Sequence, residues 1–217
     1  GDPVSAFGGV LVTNRPVDLE TAEEINKLFF EVLIAPDFTA EALPILESKK
    51  NRILLRQREA IHATWSYRSM LGGVLAQETD RAVETSAEMK PVTKVAPTDK
   101  ELVDLVFATK LVKHSKSNAI VLSKDGQLIA SGVGQTSRVD ALQQAIAKAR
   151  HFGFDLHGAV LSSDAFFPFD DCVTLAAEAG ITAIAQPGGS VRDADSIAAA
   201  DRLGVAMVMT GVRHFKH

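Results

Sequence analysis

The sequence is short of sulfur and of aromatic variety: its 217 residues include one cysteine, Cys172, one tryptophan and one tyrosine. A lone cysteine excludes an internal disulfide and any multi-cysteine metal site, and it fits a reducing compartment. Positive charge is not in excess, because 23 Lys and Arg against 27 Asp and Glu give a formal net charge of −4. Without a broad basic field, binding to a nucleic-acid backbone is not expected. No apolar run approaches the roughly 20 residues that a membrane helix needs, and no charged-then-apolar leader opens the chain. A cytoplasmic protein with no membrane partner is the expectation. An initiator methionine is also missing: Gly1-Asp2-Pro3 leads at once into what reads as working structure, so the chain is expected to begin partway through a longer protein. What is present is ordinary for a folded domain: 46% hydrophobic and 23% charged residues, with length for one large domain or two small ones.

The remaining chain is organised around Leu161-Ser162-Ser163-Asp164-Ala165-Phe166-Phe167-Pro168-Phe169-Asp170-Asp171. An apolar strand from Ala159 runs into two hydroxyls and a carboxylate, then three phenylalanines around a proline, then two more carboxylates. A strand leading into such a turn and then a helix brings its polar tip to the carboxyl edge of a sheet, where open α/β sheets bind ligands. Aromatic faces beside carboxylates suit a planar heterocycle bearing N–H groups. A capped helix start with its phenylalanines in the core accounts for the same residues.

Residues 1 to about 60 alternate strand and helix and so predict a parallel sheet. Val4 to Val12 reads as a glycine turn entering a strand, and Gly8-Gly9 permits either close approach of a ligand or a bulge. Asp18 caps a helix predicted to run through Phe30, with Ala22, Ile25 and Phe29 on one face. Val32 to Ala35 and Arg52 to Leu55 read as strands, with Thr39 opening a short helix between them and Glu31 standing just before the first. Residues 56 to 97 are less regular, carrying Arg56, Arg58, His62, Trp65, Tyr67 and Arg68 on a long loop or hairpin. The polar stretch from Thr85 to Pro97 reads as a connector. The domains are therefore expected at 1–97 and 98–217.

The second lobe opens with a capping box, Thr98-x-x-Glu101. A helix, a hairpin turning at Lys124-Asp125-Gly126, a helix capped by Ser137, and strands near Ala159, Ile181 and Val205 separated by helices follow. That order resembles the cytidine-deaminase-like fold. Those deaminases hold zinc with His-x-Glu and Pro-Cys-x-x-Cys. Here Thr136-Ser137-Arg138 and Pro168-Phe169-Asp170-Asp171-Cys172 stand instead, so no zinc site is expected.

Several turns admit either a ligand or a plain structural role. Gly132-Val133-Gly134 before a helix suits a phosphate or a turn after a hairpin. Arg138 at a helix start is disfavoured by the dipole by about 0.3–1 kcal/mol, a cost that a bound anion offsets, although a solvated arginine is equally admissible. Gln186-Pro187-Gly188-Gly189-Ser190 is a tight turn or a site of close approach. Asn118 is a cap or an amide-reading group. The closing Arg213-His214-Phe215-Lys216-His217 is a frayed tail or a guanidinium, an imidazole and a ring offered to an anionic, planar ligand.

Six stretches taken together carry a more specific resemblance: Asp2-Pro3-Val4-Ser5-Ala6-Phe7-Gly8-Gly9, Lys116-Ser117-Asn118-Ala119, Gly134-Gln135-Thr136-Ser137-Arg138, Ser163-Asp164-Ala165-Phe166-Phe167-Pro168-Phe169, Gln186-Pro187-Gly188-Gly189-Ser190 and Arg213-His214-Phe215-Lys216-His217. In this order they resemble the transformylase region of the bifunctional purine-biosynthesis family, which joins phosphoribosylaminoimidazolecarboxamide formyltransferase to IMP cyclohydrolase. The resemblance implies an α/β fold of two cytidine-deaminase-like lobes, with mixed, mostly parallel sheets flanked by helices. It implies transfer of a formyl group from 10-formyltetrahydrofolate, a cosubstrate, to 5-aminoimidazole-4-carboxamide ribonucleotide. Phe7, Gly8, Glu31, Asn118, Phe166, Arg213 and His217 would meet the nucleotide; Arg138, Val139, Asp171, Ser190 and Val191 would meet the folate. Glu31 falls where the family often has Asp, and Asp170 where it has Arg. The resemblance further implies a homodimer and, in some members, potassium near the site.

The family's catalytic Lys-His pair lies upstream of the Asp-Pro-x-Ser-x-Phe-Gly stretch with which this chain opens, so no catalytic residue is assigned here. Lys113-His114 and Lys216-His217 stand in other contexts. The cyclohydrolase part is not expected in this stretch either. The runner-up reading is a non-catalytic nucleotide- or folate-binding module on the same scaffold. All of these readings share one spatial expectation: Asn118, Asp164 to Asp171, Ser190 and Arg213 should gather at one hollow.

Overall fold

The computed structural model describes residues 1–59 and 63–216. Two compact units form, Asp2–Thr79 and a larger one made of Gly1 with Asp80–His217.

In the smaller unit, β1 (Gly9–Val12), β2 (Phe30–Ala35) and β3 (Ile53–Arg56) make a parallel sheet in that order. Helices α1 (Leu19–Asn26) and α2 (Ala42–Leu46) connect them. Val17, Ala22, Phe30, Leu33 and Leu46 are among the side chains that fill the core. Asp18 caps α1 by accepting the Thr21 N–H at 2.9 Å. The helix stops at Asn26 rather than Phe30. Lys27 and Leu28 donate to the carbonyls three residues back, tightening the last turn, and Phe30 becomes the buried first residue of β2. Glu31 is not before β2 but inside it: Gly9 pairs with Phe30 and Val10 with Val32, so Glu31 is the extra residue of a bulge. Strands β4 (Trp65–Met70) and β5 (Gly73–Glu78) form an antiparallel hairpin with every described side chain exposed.

The larger unit is a three-layer sandwich. Its six-stranded sheet runs β6-β11-β10-β9-β7-β8, with β6 (Lys90–Pro91), β7 (Ile120–Lys124), β8 (Gln127–Gly132), β9 (Val160–Ser163), β10 (Ala183–Gln186) and β11 (Ala206–Met209). Helix α3 (Asp99–Lys113) covers one face, packing on Val121, Val160, Ala183 and Val208. Helices α4 (Arg138–His151), α5 (Asp171–Glu178) and α6 (Asp193–Leu203) cover the other, over Ile120, Leu161, Ile184 and Met207. Alternate strand residues thus feed the two cores, as the period of two requires. The capping box at Thr98 and Glu101 forms with both bonds made, and Ser137 caps α4.

Residues 80–97 are not a free connector. Lys90–Pro91 adds an antiparallel edge to β11, and Glu84 and Met89 are buried in the larger unit. The compact units consequently divide after Thr79, not after residue 97. The β6 segment is two residues long, too short for a periodic signal. No helix among the described residues is long and apolar enough to cross a membrane.

Strand polarity sets where a site can lie. β9, β10 and β11 are mutually parallel, while β7 is antiparallel to both β9 and β8. The amino end of β7 therefore lies at the carboxyl ends of β8 to β11, with Ile120 opposite both Ser163 and Gly132. Asn118, the β8–α4 turn, Asp164 to Asp171, the 187–191 turn and the 210–216 tail all leave the sheet at this one edge.

Gly132 owes its presence to packing. A Cβ built there would stand 1.8 Å from the Ala141 carbonyl oxygen of α4. The Gly132→Ala variant should lose on the order of 3 kcal/mol or more, since backbone cannot yield as a side chain does; urea unfolding measures it, and loss below about 1 kcal/mol would contradict the close approach.

Candidate functional site at the carboxyl edge of the larger sheet

Asp164 is the node of the edge. It follows β9, is fully buried, donates its N–H to the Ala119 carbonyl and accepts the His214 N–H at 2.9 Å. Its Oδ1 stands 3.4 Å from an Arg138 guanidinium nitrogen. Oδ2 of Asp164 and Nε of Arg138 have no hydrogen-bond partner among the described residues. Buried polar atoms in native folds are almost always satisfied, so this donor and this acceptor mark the pair out from its surroundings. Burial pushes the Arg138 guanidinium below the ordinary arginine value, and the Asp164 carboxylate opposes that shift.

Around this pair stand the ring of Phe215, 5.9 Å from the Arg138 guanidinium, and Arg213, 5.5 Å from the same ring. Arg213 is exposed and Phe215 is 43% exposed. Asn118 donates its side-chain amide to the Gln135 and Thr136 carbonyls at 3.0 and 3.1 Å, fixing the turn that presents Arg138. Phe166 is half-buried beside Asp164, whereas Phe167 is core and takes the Gln186 side-chain oxygen on its N–H. Two cations, a ring and an unused carboxylate oxygen can together hold a planar anion that carries a donor.

A hollow of about 150 Å³ opens next to it, lined by Arg138, Val139, Pro168, Phe169, Asp171 and neighbours. Arg192 lies 5.1 Å over the exposed Phe169 ring. Ser190 sits in the adjoining turn, where Asp193 receives the N–H groups of Gly189 and Ser190; Val191 is fully exposed and neither residue lines the hollow. Cys172 borders it, but burial and then Asp171 push its thiol up to about 12, so it is not a nucleophile at neutral pH. Among the described residues no group of three or more His, Cys, Asp or Glu could hold a metal ion. A larger apolar hollow of about 570 Å³ runs along α3 past Leu102, Val106 and Phe107 and contains none of the predicted residues.

Residues 1–148 match the family model described as the AICARFT/IMPCHase bienzyme. The chain belongs to that family. It is similar to the bifunctional purine biosynthesis protein PurH of Bacteroides thetaiotaomicron, 62% identical over 217 residues, covering 100% of this chain and 43% of that protein. The PurH of Thermoanaerobacter sp. (strain X514) is 54% identical over 216 residues, again covering 100% of this chain and 42% of that protein. The chain spans less than half the length of these curated relatives. Among solved structures, the dCMP deaminase of cyanophage S-TIM5 in complex with dCMP and dUMP overlays 51% of this chain and 98% of that one, with 18% identity and a TM-score of 0.38.

In this AICARFT/IMPCHase family member, the predicted residues of the larger unit converge only in part. Arg138 contacts Asp164 directly, Asn118 holds the turn before Arg138, and Arg213 reaches the same place through the Phe215 ring. Phe166 follows Asp164 by two residues, and Val139 and Asp171 join Arg138 in the adjoining hollow. Ser190 and Val191 share the edge but not the hollow. In the smaller unit, the exposed Phe7 ring lies 4.5 Å from Phe29, Gly8 has a positive φ of 71° and donates to the Phe29 carbonyl, and Glu31 is exposed. These three share the amino end of the small sheet, not its carboxyl edge. His217 lies outside the described residues, as does His62. The hydroxyls that open the central stretch are structural: Ser162 shares a 2.9 Å bond with Thr109 of α3, and Ser163 donates to the Ala165 carbonyl.

Sequence reasoning missed the fate of His214. Its ring is buried, with Nδ1 2.6 Å from Asp80 and Nε2 3.1 Å from both Glu84 oxygens. Lys113 lies 3.6 Å from Asp80 and donates to the Ala82 carbonyl, which ties it to this network. Burial opposes ionisation of Asp80, but the His214 bond and charge, then Lys113, outweigh it and hold the carboxyl below its ordinary value.

Two expectations follow. Because the folded Asp80 carboxyl ionises at lower pH than the unfolded one, its contribution is present at neutral pH and fades as the pH falls through the folded value. The Asp80→Asn variant should therefore lose stability at neutral pH and converge with the parent on acidification, read as urea midpoints across pH 3–7. Arg138→Met strands a buried carboxylate and should cost about 3 kcal/mol, while adding Asp164→Leu should restore much of that loss; a double variant no more stable than the single one would count against the pair.

Proposed function

We propose that these residues supply nucleotide- and folate-binding surface for the transfer of a formyl group from 10-formyltetrahydrofolate to the 5-amino group of 5-aminoimidazole-4-carboxamide ribonucleotide, within a protein that also closes the product to IMP. The observation that carries the reading is the arrangement of Arg138, Arg213 and Phe215 around the free Asp164 oxygen, in a chain 62% identical to a PurH along its whole length. Arg213 is exposed to meet the phosphate, Phe166 and Phe215 flank the flat base, and the buried Asp164 accepts from its amide. Phe7, Gly8 and Glu31 are assigned to the nucleotide on the family resemblance, as is His217. Arg138, Val139, Asp171, Ser190 and Val191 are assigned to the folate.

The amine of the substrate is a weak nucleophile, because its lone pair is delocalised into the ring toward the carboxamide. Attack on the formyl carbon needs a base to remove the amine proton and a cation to hold the oxyanion. The family's Lys-His pair performs those roles upstream of the first motif, and Lys113 is already engaged by Asp80 and Ala82. The surface described here therefore binds and orients both substrates. It carries no assigned base. Potassium is carried over from the family resemblance alone: no residue is assigned to hold it, and no step is routed through the ion. A homodimer in the cytoplasm completes the reading. The non-catalytic alternative, a module binding one ligand, keeps the same pocket.

Calorimetric titration with the carboxamide ribonucleotide and with a folate analogue, separately and together, tests the proposal. Both should bind, and Arg213→Ala should weaken the nucleotide about ten- to hundredfold, the equivalent of a lost charge-assisted bond. Response to one ligand alone favours the module, and response to neither overturns the reading. The isolated chain should turn over little; rapid formyl transfer by it would refute the placement of the base upstream.

A further inference from the structure

We propose that His214 is a positioning residue: clamped at both ring nitrogens by Asp80 and Glu84, it sets the 213–216 tail across the sheet edge so that Arg213 and Phe215 face the Arg138–Asp164 pair. This rests on the reading of that edge as a nucleotide site. The tail has no place in the sheet ladder, so its conformation must come from other bonds. The backbone supplies three: His214 N–H to the Asp164 carbonyl, Ser117 N–H to the Lys216 carbonyl, and Lys216 N–H to Ser117 Oγ, each 2.9 Å. These fix where the tail lies. They do not decide which side chains point outward.

The His214 side chain decides that. It is 3% exposed, against the exposed Arg213, Phe215 and Lys216 on either side. With His214 turned inward, Arg213 and Phe215 on either side of it are exposed and meet each other, the Arg213 guanidinium 5.5 Å from the Phe215 ring. The commitment is firm because Glu84 is itself buried, at 4% exposure, and Asp80 is held in turn by Lys113. Each ring nitrogen has a carboxylate within hydrogen-bond distance, so neither is left open. The imidazole therefore contacts no ligand. It acts through its neighbours.

The test uses His214→Gln, Glu84→Gln and the double variant. In His214→Gln the amide oxygen must face a carboxylate, which repels it; Glu84→Gln supplies an amide donor there and should restore the clamp. Nucleotide affinity, measured by calorimetry with 5-aminoimidazole-4-carboxamide ribonucleotide, should fall at least about tenfold in His214→Gln and recover to within about threefold of the parent in the double variant. Hydrogen exchange of the 210–217 peptide should rise in the single variant and fall again in the double. Recovery of exchange protection and affinity together separates positioning from loss of fold, which urea midpoints monitor in parallel. Unchanged exchange in His214→Gln, or unchanged affinity with raised exchange, overturns the proposal. If the parent chain does not bind the nucleotide, the functional reading falls, while the exchange comparison alone still decides whether His214 sets the tail.

Discussion

A buried carboxylate joins three parts of the chain that are far apart in sequence. Asp164 takes Ala119, just before β7, through its N–H, the C-terminal tail through its carbonyl and α4 through its side chain. A buried charge of this kind survives only if it is paired. The pairing with Arg138 places a cation in the first turn of a helix, where the dipole alone would disfavour one. The same constraint leaves one carboxylate oxygen and one guanidinium nitrogen unspent. Strand polarity, helix capping and the tail all serve to bring partners to this point.

The parts legible in the sequence are those with local causes. Thr98 with Glu101, Ser137 with Asp140, and Asp125-Gly126 each satisfy their own backbone within a few residues, and each stands as expected. The order of helices and strands in the larger unit follows from them. The shared edge was also foreseeable, because parallel strands separated by helices must end on the same side. Gly132 is the instructive case among the glycines: its pattern suggests a phosphate cradle, but the carbonyl of Ala141 explains it without one.

What escaped sequence reasoning depends on partners far along the chain. Nothing near residue 84 announces that its carboxylate will meet an imidazole 130 residues away. Nor does Lys90–Pro91 carry a pattern long enough to read as a strand. Phe29 and Phe30 show the limit from the other side: either continues a helical face, and a tight final turn sends one to the core and the other to solvent. Glu31, read as preceding β2, emerges as a bulge residue because the register with β1 slips there.

The distance in sequence between Glu84 and His214 also bears on the order of folding. Contacts that span 130 residues form after local ones, since the closure entropy must be met first. The site thus comes into being only when the last strand has docked and the tail has crossed it. A ligand that recognises the finished arrangement has nothing to grip in a chain where these contacts are open. It would lengthen the life of the native state by slowing its opening, and leave the rate of its formation unchanged.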